Sequence, residues 1–357
     1  MKAKLSEKYR MTDLGPVQQF LGIQIERNCQ KRTLRIHQRP YIESILKRFQ
    51  MDNCNSVSTP IEANLQLIAS DDNYNATPAE RIDYQQAIGS IMYAMLGTRP
   101  DLAFIVSTLS KYCINPSLQH AQAVQRVFRY LKKTLDYGIT FGGTSNPAID
   151  EAICQEKLLG KGLTGTTAFG FTDSDWAGDK DSRKSTSGFL FTLYNGSISW
   201  KSAKQPVVAT SSTEAEYIAC TEAAKEGLWI RRIMGEIRGE SPKEPMHYSH
   251  EIEPQNLFES LGIEPTKMDQ ETLEPQIIFA DNQGAIKLSK NPQHHNRTKH
   301  IDVKYHFIRE SSQNGLIQLT YIPTDEMVAD ILTKSLPQDR HEKHMKGMGM
   351  TDSVGVV

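Results

Sequence analysis

The spacing of apolar and polar positions changes character several times along the chain, and each change marks an element. Between 19 and 38 the runs QFLGIQIER and TLRIHQ flank a polar Asn28-Cys29-Gln30-Lys31 turn, which predicts a strand pair. YIESILKRFQM then shifts to helical spacing. Residues 52–80 carry Asn, Ser, Asp and Pro where periodic apolar residues would be needed, so they read as a loop. Helical periodicity returns over 81–137 in SIMYAML, LAFIVSTLSKYC and HAQAVQRVFRYLKKTL. The last of these keeps Arg126, Arg129, Lys132 and Lys133 on its polar side, and either a solvated face or a face laid on phosphates fits them.

After a Gly/Thr/Asn-rich stretch at 143–167 the plan becomes β-β-β-α-β-α. AFGFTDSDW alternates, placing Phe169, Phe171, Asp173 and Asp175 on one face. GFLFTLY and SISWKS are strands joined by Asn195-Gly196, a hairpin signal. TSSTEAEYIACTEAAKEGLWIRRIMGEI is a long helix with Ala219, Ala223, Ile230 and Met234 as its sheet-facing stripe. QIIFA is a strand, NQGAIKLSK and HIDVKYHFIRESSQ are helices, LIQLTYI is a strand, and 325–335 closes as a helix. The fold class is α/β, of the α+β kind. Trp176, Trp200 and Trp229 read as core residues.

Composition changes this picture in two places. The net charge of −1 argues against a nucleic-acid binder, but it averages oppositely charged segments: residues 1–60 hold eleven Lys/Arg against five Asp/Glu, and 241–276 hold two against eight. The acidic stretch 241–276 reads as a disordered insertion. Five cysteines (29, 54, 113, 154 and 220) without CxxC spacing suggest reduced thiols in an intracellular protein. The charged N-terminus lacks a signal-peptide core, and no apolar run is long enough to cross a membrane.

The candidate chemistry lies in the acids. Asp173 continues an apolar face, and an inward carboxylate must be paired or bind metal. Glu214 fits a capping box with Ser211. Glu216 lies about 60° from Ala219 on the helical wheel, against about 140° for Glu214, so it is the better candidate for the buried edge. Asp281 ends a strand and opens a helix, which a helix cap would also explain. Asp330 would pass alone for a surface helix acid. Clustered carboxylates suit two divalent ions that together activate water and stabilise a leaving oxygen.

The runs FTDSDWAGDKDSRKSTSGF, ISWKSAKQPVVATSSTEAEYIA, FADNQGAIKLSKNP, HHNRTKHIDVKYHFIRE and IPTDEMVADILTKSLP occur in order over about 168–338. Together they resemble the ribonuclease H domain of copia-type LTR-retrotransposon polyproteins. The resemblance implies a ribonuclease H-like mixed five-stranded sheet flanked by helices. It further implies a four-acid site of Asp173, Glu216, Asp281 and Asp330 holding two Mg²⁺, with Mn²⁺ as a substitute. The implied activity is cutting of the RNA strand of an RNA–DNA hybrid. Arg183, Lys184, Asn282, Gln283, Arg297, Lys299 and Lys304 are candidate hybrid contacts. One departure is Tyr321-Ile322-Pro323-Thr324, where many ribonucleases H carry a histidine.

MTDLGPVQQFLGIQIER resembles the segment after the polymerase active site of the same polyprotein, and 39–140 resembles its thumb and connection. The expected organisation is a reverse-transcriptase palm remnant at 1–60, a thumb- or connection-like helical region at 61–142 and a linker at 143–167. A ribonuclease H-like domain at 168–338 and a flexible tail at 339–357 complete it. The polymerase's Tyr-x-Asp-Asp motif would precede Met1, so no independent DNA synthesis is expected. The remainder of a retrotransposon polymerase is an expected partner. The rival reading is a catalytically silent nucleic-acid-binding or particle-assembly remnant.

Overall fold

The computed structural model describes residues 6–10, 12, 15–63, 65–71, 74–142, 168–238, 275–290 and 302–352. The expected linker at 143–167 and most of the acidic insertion fall outside these residues. The chain forms two compact units, one of residues 1–61, 70–144 and 349–357, the other of 62–69 and 145–348.

The first unit contains β1 (Gln19–Phe20), β2 (Ile23–Asn28), β3 (Thr33–His37), α1 (Arg39–Arg48), α2 (Pro78–Gly97), α3 (Ala103–Ser110), α4 (Leu118–Lys133) and β4 (Gly138–Phe141). Thr77 and Glu80 close a reciprocal capping box that starts α2, with Pro78 in its first turn. Between α2 and α3, Arg99 and Asp101 form a fully buried bidentate pair at 3.0 and 2.7 Å. Tyr130 donates to the same carboxylate at 2.6 Å, and Thr134 accepts from the guanidinium.

The cationic side of α4 has a third use besides those expected. Arg126 donates to Thr59, Arg129 to the carbonyl of Asn55, Lys132 to that of Cys54 and Lys133 to Ser58. The four side chains clasp one irregular segment, whose carbonyls and hydroxyls take these donors because it forms no ladder.

The second unit contains β5 (Phe169–Ser174), β6 (Thr186–Leu193), β7 (Gly196–Lys204), α5 (Ser212–Arg238), β8 (Gln276–Ala280), α6 (Gln283–Lys290), α7 (Asp302–Gln313) and β9 (Ile317–Tyr321). Short 3₁₀ segments at Thr324–Glu326 and Val328–Leu332 and helix α8 (Gln338–Gly347) follow. The strand order is β7-β6-β5-β8-β9. β5, β6 and β7 pair antiparallel, whereas β5, β8 and β9 pair parallel, giving the mixed five-stranded sheet that was expected. α5 packs on β5, β6 and β8, and Ala223, Ile230, Phe191, Ile278 and Leu319 share its core.

Two expectations are corrected. Residues 325–335 form 3₁₀ turns in place of an α-helix: Asp330 and Thr333 donate their amides to carbonyls three residues back. Part of the supposed tail is ordered, because α8 buries His341, His344 and Met345, and β10 (Met350–Thr351) pairs with β4 in the first unit. Among the described residues no helix is long and apolar enough to cross a membrane.

Candidate metal centre

Sheet register brings the acids together. Asp173 lies near the C-terminal end of β5, and Asp281 directly follows β8, the parallel neighbour of β5. Parallel strands therefore deliver two carboxylates to the same sheet end. Asp173 pairs across the ladder with Gly188. A Cβ at Gly188 would come within 2.7 Å of Leu332 Cβ, so the missing side chain lets the Val328–Leu332 turn lie against β6. That turn carries Asp330, which is buried and not the surface helix acid of its simplest reading. One carboxylate oxygen from each of Asp173, Asp281 and Asp330 lies within 4.8 Å of the others.

Glu216, one turn into α5, is the fourth acid. It is buried, the charges of Asp173 and Asp281 act on it, and its Oε2 has no hydrogen-bond partner among the described residues. Glu214 points its carboxylate to the amide and hydroxyl of Thr210, while Ser211 Oγ accepts from the Glu214 amide at 3.2 Å. Capping thus occupies Glu214 and leaves Glu216 for the cluster. At Asp281 the capping alternative is also taken by a neighbour: Asn282 Oδ1 accepts from the Ala285 amide at 3.0 Å and caps α6.

Four further side chains surround the acids. Thr333 donates to Asp173 Oδ2, and Thr324 to Asp281 Oδ2 at 2.7 Å. Lys334 Nζ lies 2.9 Å from Asp330 Oδ1 and 3.6 Å from Asp173 Oδ2. Arg340 Nη2 lies 2.8 Å from Asp330 Oδ2. The Asp330 to Lys334 spacing of four was a legible hint. Arg340 had no signal, because its reach depends on where α8 packs. Thr324 occupies the stretch where a histidine was missed, and its hydroxyl serves an acid.

The electrostatics follow from burial. Burial pushes Asp173 above the usual carboxylate range, against the opposing charge of Lys334. Glu216 is pushed well above it by burial and then by the charges of Asp173 and Asp281. Burial and then the charge of Asp173 push Asp330 up to about 6. For Lys334, burial opposes the charge, but Asp173 and Asp330 outweigh it and raise the ammonium. An all-oxygen, acid-rich donor set that one lysine and one arginine only partly balance, with an orphaned buried carboxylate oxygen, fits a hard divalent cation.

The expected hybrid contacts divide. Arg183 is exposed on the β5–β6 connection, and Gln283 is exposed at the start of α6. Lys184 donates to the Pro206 carbonyl at 2.7 Å, and Asn282 spends its Oδ1 on the cap. Arg297 and Lys299 lie outside the described residues, and only the backbone of Lys304, in α7, is described. The tryptophan expectation is corrected: Trp176 and Trp229 are 58% and 57% exposed.

Comparison with known proteins places the chain. A family profile described as reverse transcriptase (RNA-dependent DNA polymerase) matches residues 1–63. The retrovirus-related Pol polyprotein from transposon TNT 1-94 of Nicotiana tabacum is 39% identical over 98% of this chain and 23% of its own length. The corresponding polyprotein from transposon RE1 of Arabidopsis thaliana is 32% identical over 97% of this chain and 20% of its own length. A solved structure, LC11-RNase H1 in complex with RNA/DNA hybrid, aligns at 13% identity and a TM-score of 0.29, covering 47% of this chain and 94% of that one. A reverse-transcriptase-related segment and an acid-lined α/β unit thus occur in one chain. The chain belongs to the copia-type retrotransposon Pol polyprotein family, and spans 23% and 20% of the length of these two relatives.

Proposed function

We propose that residues 168–338 are a ribonuclease H-like domain that hydrolyses the RNA strand of RNA–DNA hybrids. The observation that carries this reading is the convergence of Asp173, Asp281 and Asp330 within 4.8 Å, with Glu216 buried beside them. These four acids would hold two Mg²⁺, or Mn²⁺ in their place, which would supply an activated water and stabilise the leaving oxygen. Thr333 and Thr324 fix the carboxylates of Asp173 and Asp281 by donating to them, and Arg340 and Lys334 orient Asp330. Arg183 and Gln283, both exposed, would meet hybrid phosphates and ribose hydroxyls, with Lys184, Asn282, Arg297, Lys299 and Lys304 as further contacts. Residues 1–60 and 61–142 are proposed as palm-derived and thumb- or connection-like regions, working with other parts of a retrotransposon polymerase.

The test uses the full chain with labelled RNA–DNA hybrid, double-stranded RNA and single-stranded RNA, each in Mg²⁺, Mn²⁺ or EDTA. Metal-dependent cutting of hybrid RNA alone, lost in a folded Asp173→Asn, Asp281→Asn variant, is the expected result. A folded chain that binds hybrid and cuts nothing with either metal would replace this reading with that of a silent nucleic-acid-binding protein.

A further inference from the structure

Trp176 is the most exposed of the aromatic residues near the metal centre, at 58%. An indole normally gains by burying its large apolar surface. This one is instead held outward, because its Nε1 donates to the Ala209 carbonyl at 3.3 Å. The loop beneath it is built tightly. Ala177 and Arg183 adopt φ of +54° and +56°, which residues with a Cβ seldom do. The Ala177 amide donates to Ser185 Oγ at 3.0 Å, and the Thr186 amide donates to Asp175. A Cβ at Gly178 would overlap Asp175 Oδ2, so the loop closes only with glycine there. Strain held in place by this many contacts is characteristic of functional sites.

The position of the indole gives it a purpose. It follows Asp173 by three residues, and its anchor Ala209 lies just before α5, which carries Glu216. The tether thus spans the two elements that supply those acids. Val207 and Val208 are also exposed and extend the apolar surface beside Ala209. The loop's acids are engaged internally: Asp175 with Thr186, Asp179 with Lys204 at 3.0 Å, and Asp181 with the Ala69 amide at 3.1 Å. Lys180 and Arg183 are exposed on the same loop. A flat apolar shelf rimmed by outward cations beside a carboxylate cluster suits a polyanion that also offers sugar faces. In an A-form-like hybrid the bases stay stacked, and the wide, shallow minor groove presents ribose.

We infer that Trp176, with Val207 and Val208, is a shelf that packs against ribose of the RNA strand and sets the hybrid over the metal centre. It is a positioning residue, and the inference rests on the ribonuclease reading above.

The experiment uses the full chain and the variants Trp176→Ala, Trp176→Phe and Trp229→Ala. Trp176→Ala should raise KM for hybrid about tenfold, the scale of losing one aromatic contact to nucleic acid, with kcat nearly unchanged. Trp176→Phe should recover most of the loss. In EDTA, titration with hybrid should quench tryptophan emission in the wild type and in Trp229→Ala but not in Trp176→Ala. Mg²⁺ binding measured by calorimetry should be the same in all four proteins. A chain that cuts hybrid with unchanged KM after Trp176→Ala overturns this inference alone. Hybrid-dependent quenching through Trp176 without cutting supports the shelf and sinks the nuclease reading. A wild type that neither binds nor cuts hybrid overturns both.

Discussion

Asp330 shows most directly what the site costs the protein without a cation. Its carboxyl is held up at about 6, against 3.8 for a free side chain, chiefly by burial. A group raised in this way favours the folded state below about pH 4 and loses that contribution as pH rises through about 6. The metal-free chain should therefore lose stability across that window, and metal should restore it. Asp330→Asn should melt higher than wild type in EDTA at pH 7, by roughly 1–3 kcal/mol of stability, and bind Mg²⁺ more weakly. Equal melting temperatures at pH 7 would show that Lys334 and Arg340 already neutralise Asp330 in full. In the other unit, Asp101 is fully buried against Arg99. Asp101→Ala leaves that guanidinium buried without its counter-charge and should destabilise by about 3–5 kcal/mol. A loss under 1 kcal/mol in urea unfolding would mean that water or Thr134 replaces the carboxylate.

Among the elements, the Val328–Leu332 turn depends most on its neighbours. It reaches β6 because Gly188 has no side chain. Gly188→Ala should displace the turn, move Asp330 away from Asp173 and lower Mg²⁺ affinity by about tenfold while leaving the sheet folded, since an ill-fitting methyl costs about 1–3 kcal/mol. Unchanged calorimetric binding would show that the turn absorbs the methyl. The elements also show what periodicity can reveal. β5 and α5 were legible because each presents one apolar face, and those faces located Asp173 and Glu216; β8 was legible as a continuous apolar run, and Asp281 as the residue that follows it. Asp330 was found as a residue but placed on the wrong element, since a short apolar run such as MVADIL cannot separate a 3₁₀ turn from an α-helix. The two-residue strand β10 is too short to show a period. Thr333 and Arg340 become site residues only through tertiary packing, and the exposure of Trp176 runs against the usual burial of aromatics. The cationic face of α4 was seen but not its use, because its partners are mainly backbone carbonyls and hydroxyls some 70 residues away in sequence.

For the molecule as a whole, the first unit displays apolar surface. Phe20 and Leu21 are 62% and 73% exposed on and beside the edge strand β1, and Val17, Ile82 and Leu96 are exposed as well. An edge strand with bare apolar side chains invites pairing. The full chain should self-associate at micromolar concentration, and Phe20→Lys with Leu21→Lys should shift it towards monomer in light scattering. A monodisperse wild-type monomer would contradict this.

The second sheet has a consequence for how the protein is made. β5 sits at its centre, yet its parallel partner arrives late: Ala168 and Gln276, hydrogen-bonded at the start of the two strands, are 108 residues apart. At the usual pace of translation, about 5–20 residues per second, one edge of β5 stays open on the ribosome for roughly 5–20 s. The β6–β7 hairpin and α5 can fold onto β5 during that interval, while the acid pair Asp173 and Asp281 cannot yet exist. The metal centre is therefore among the last features to form, and a nascent chain stalled before β8 would carry a central strand with one bare edge for chaperones to cover.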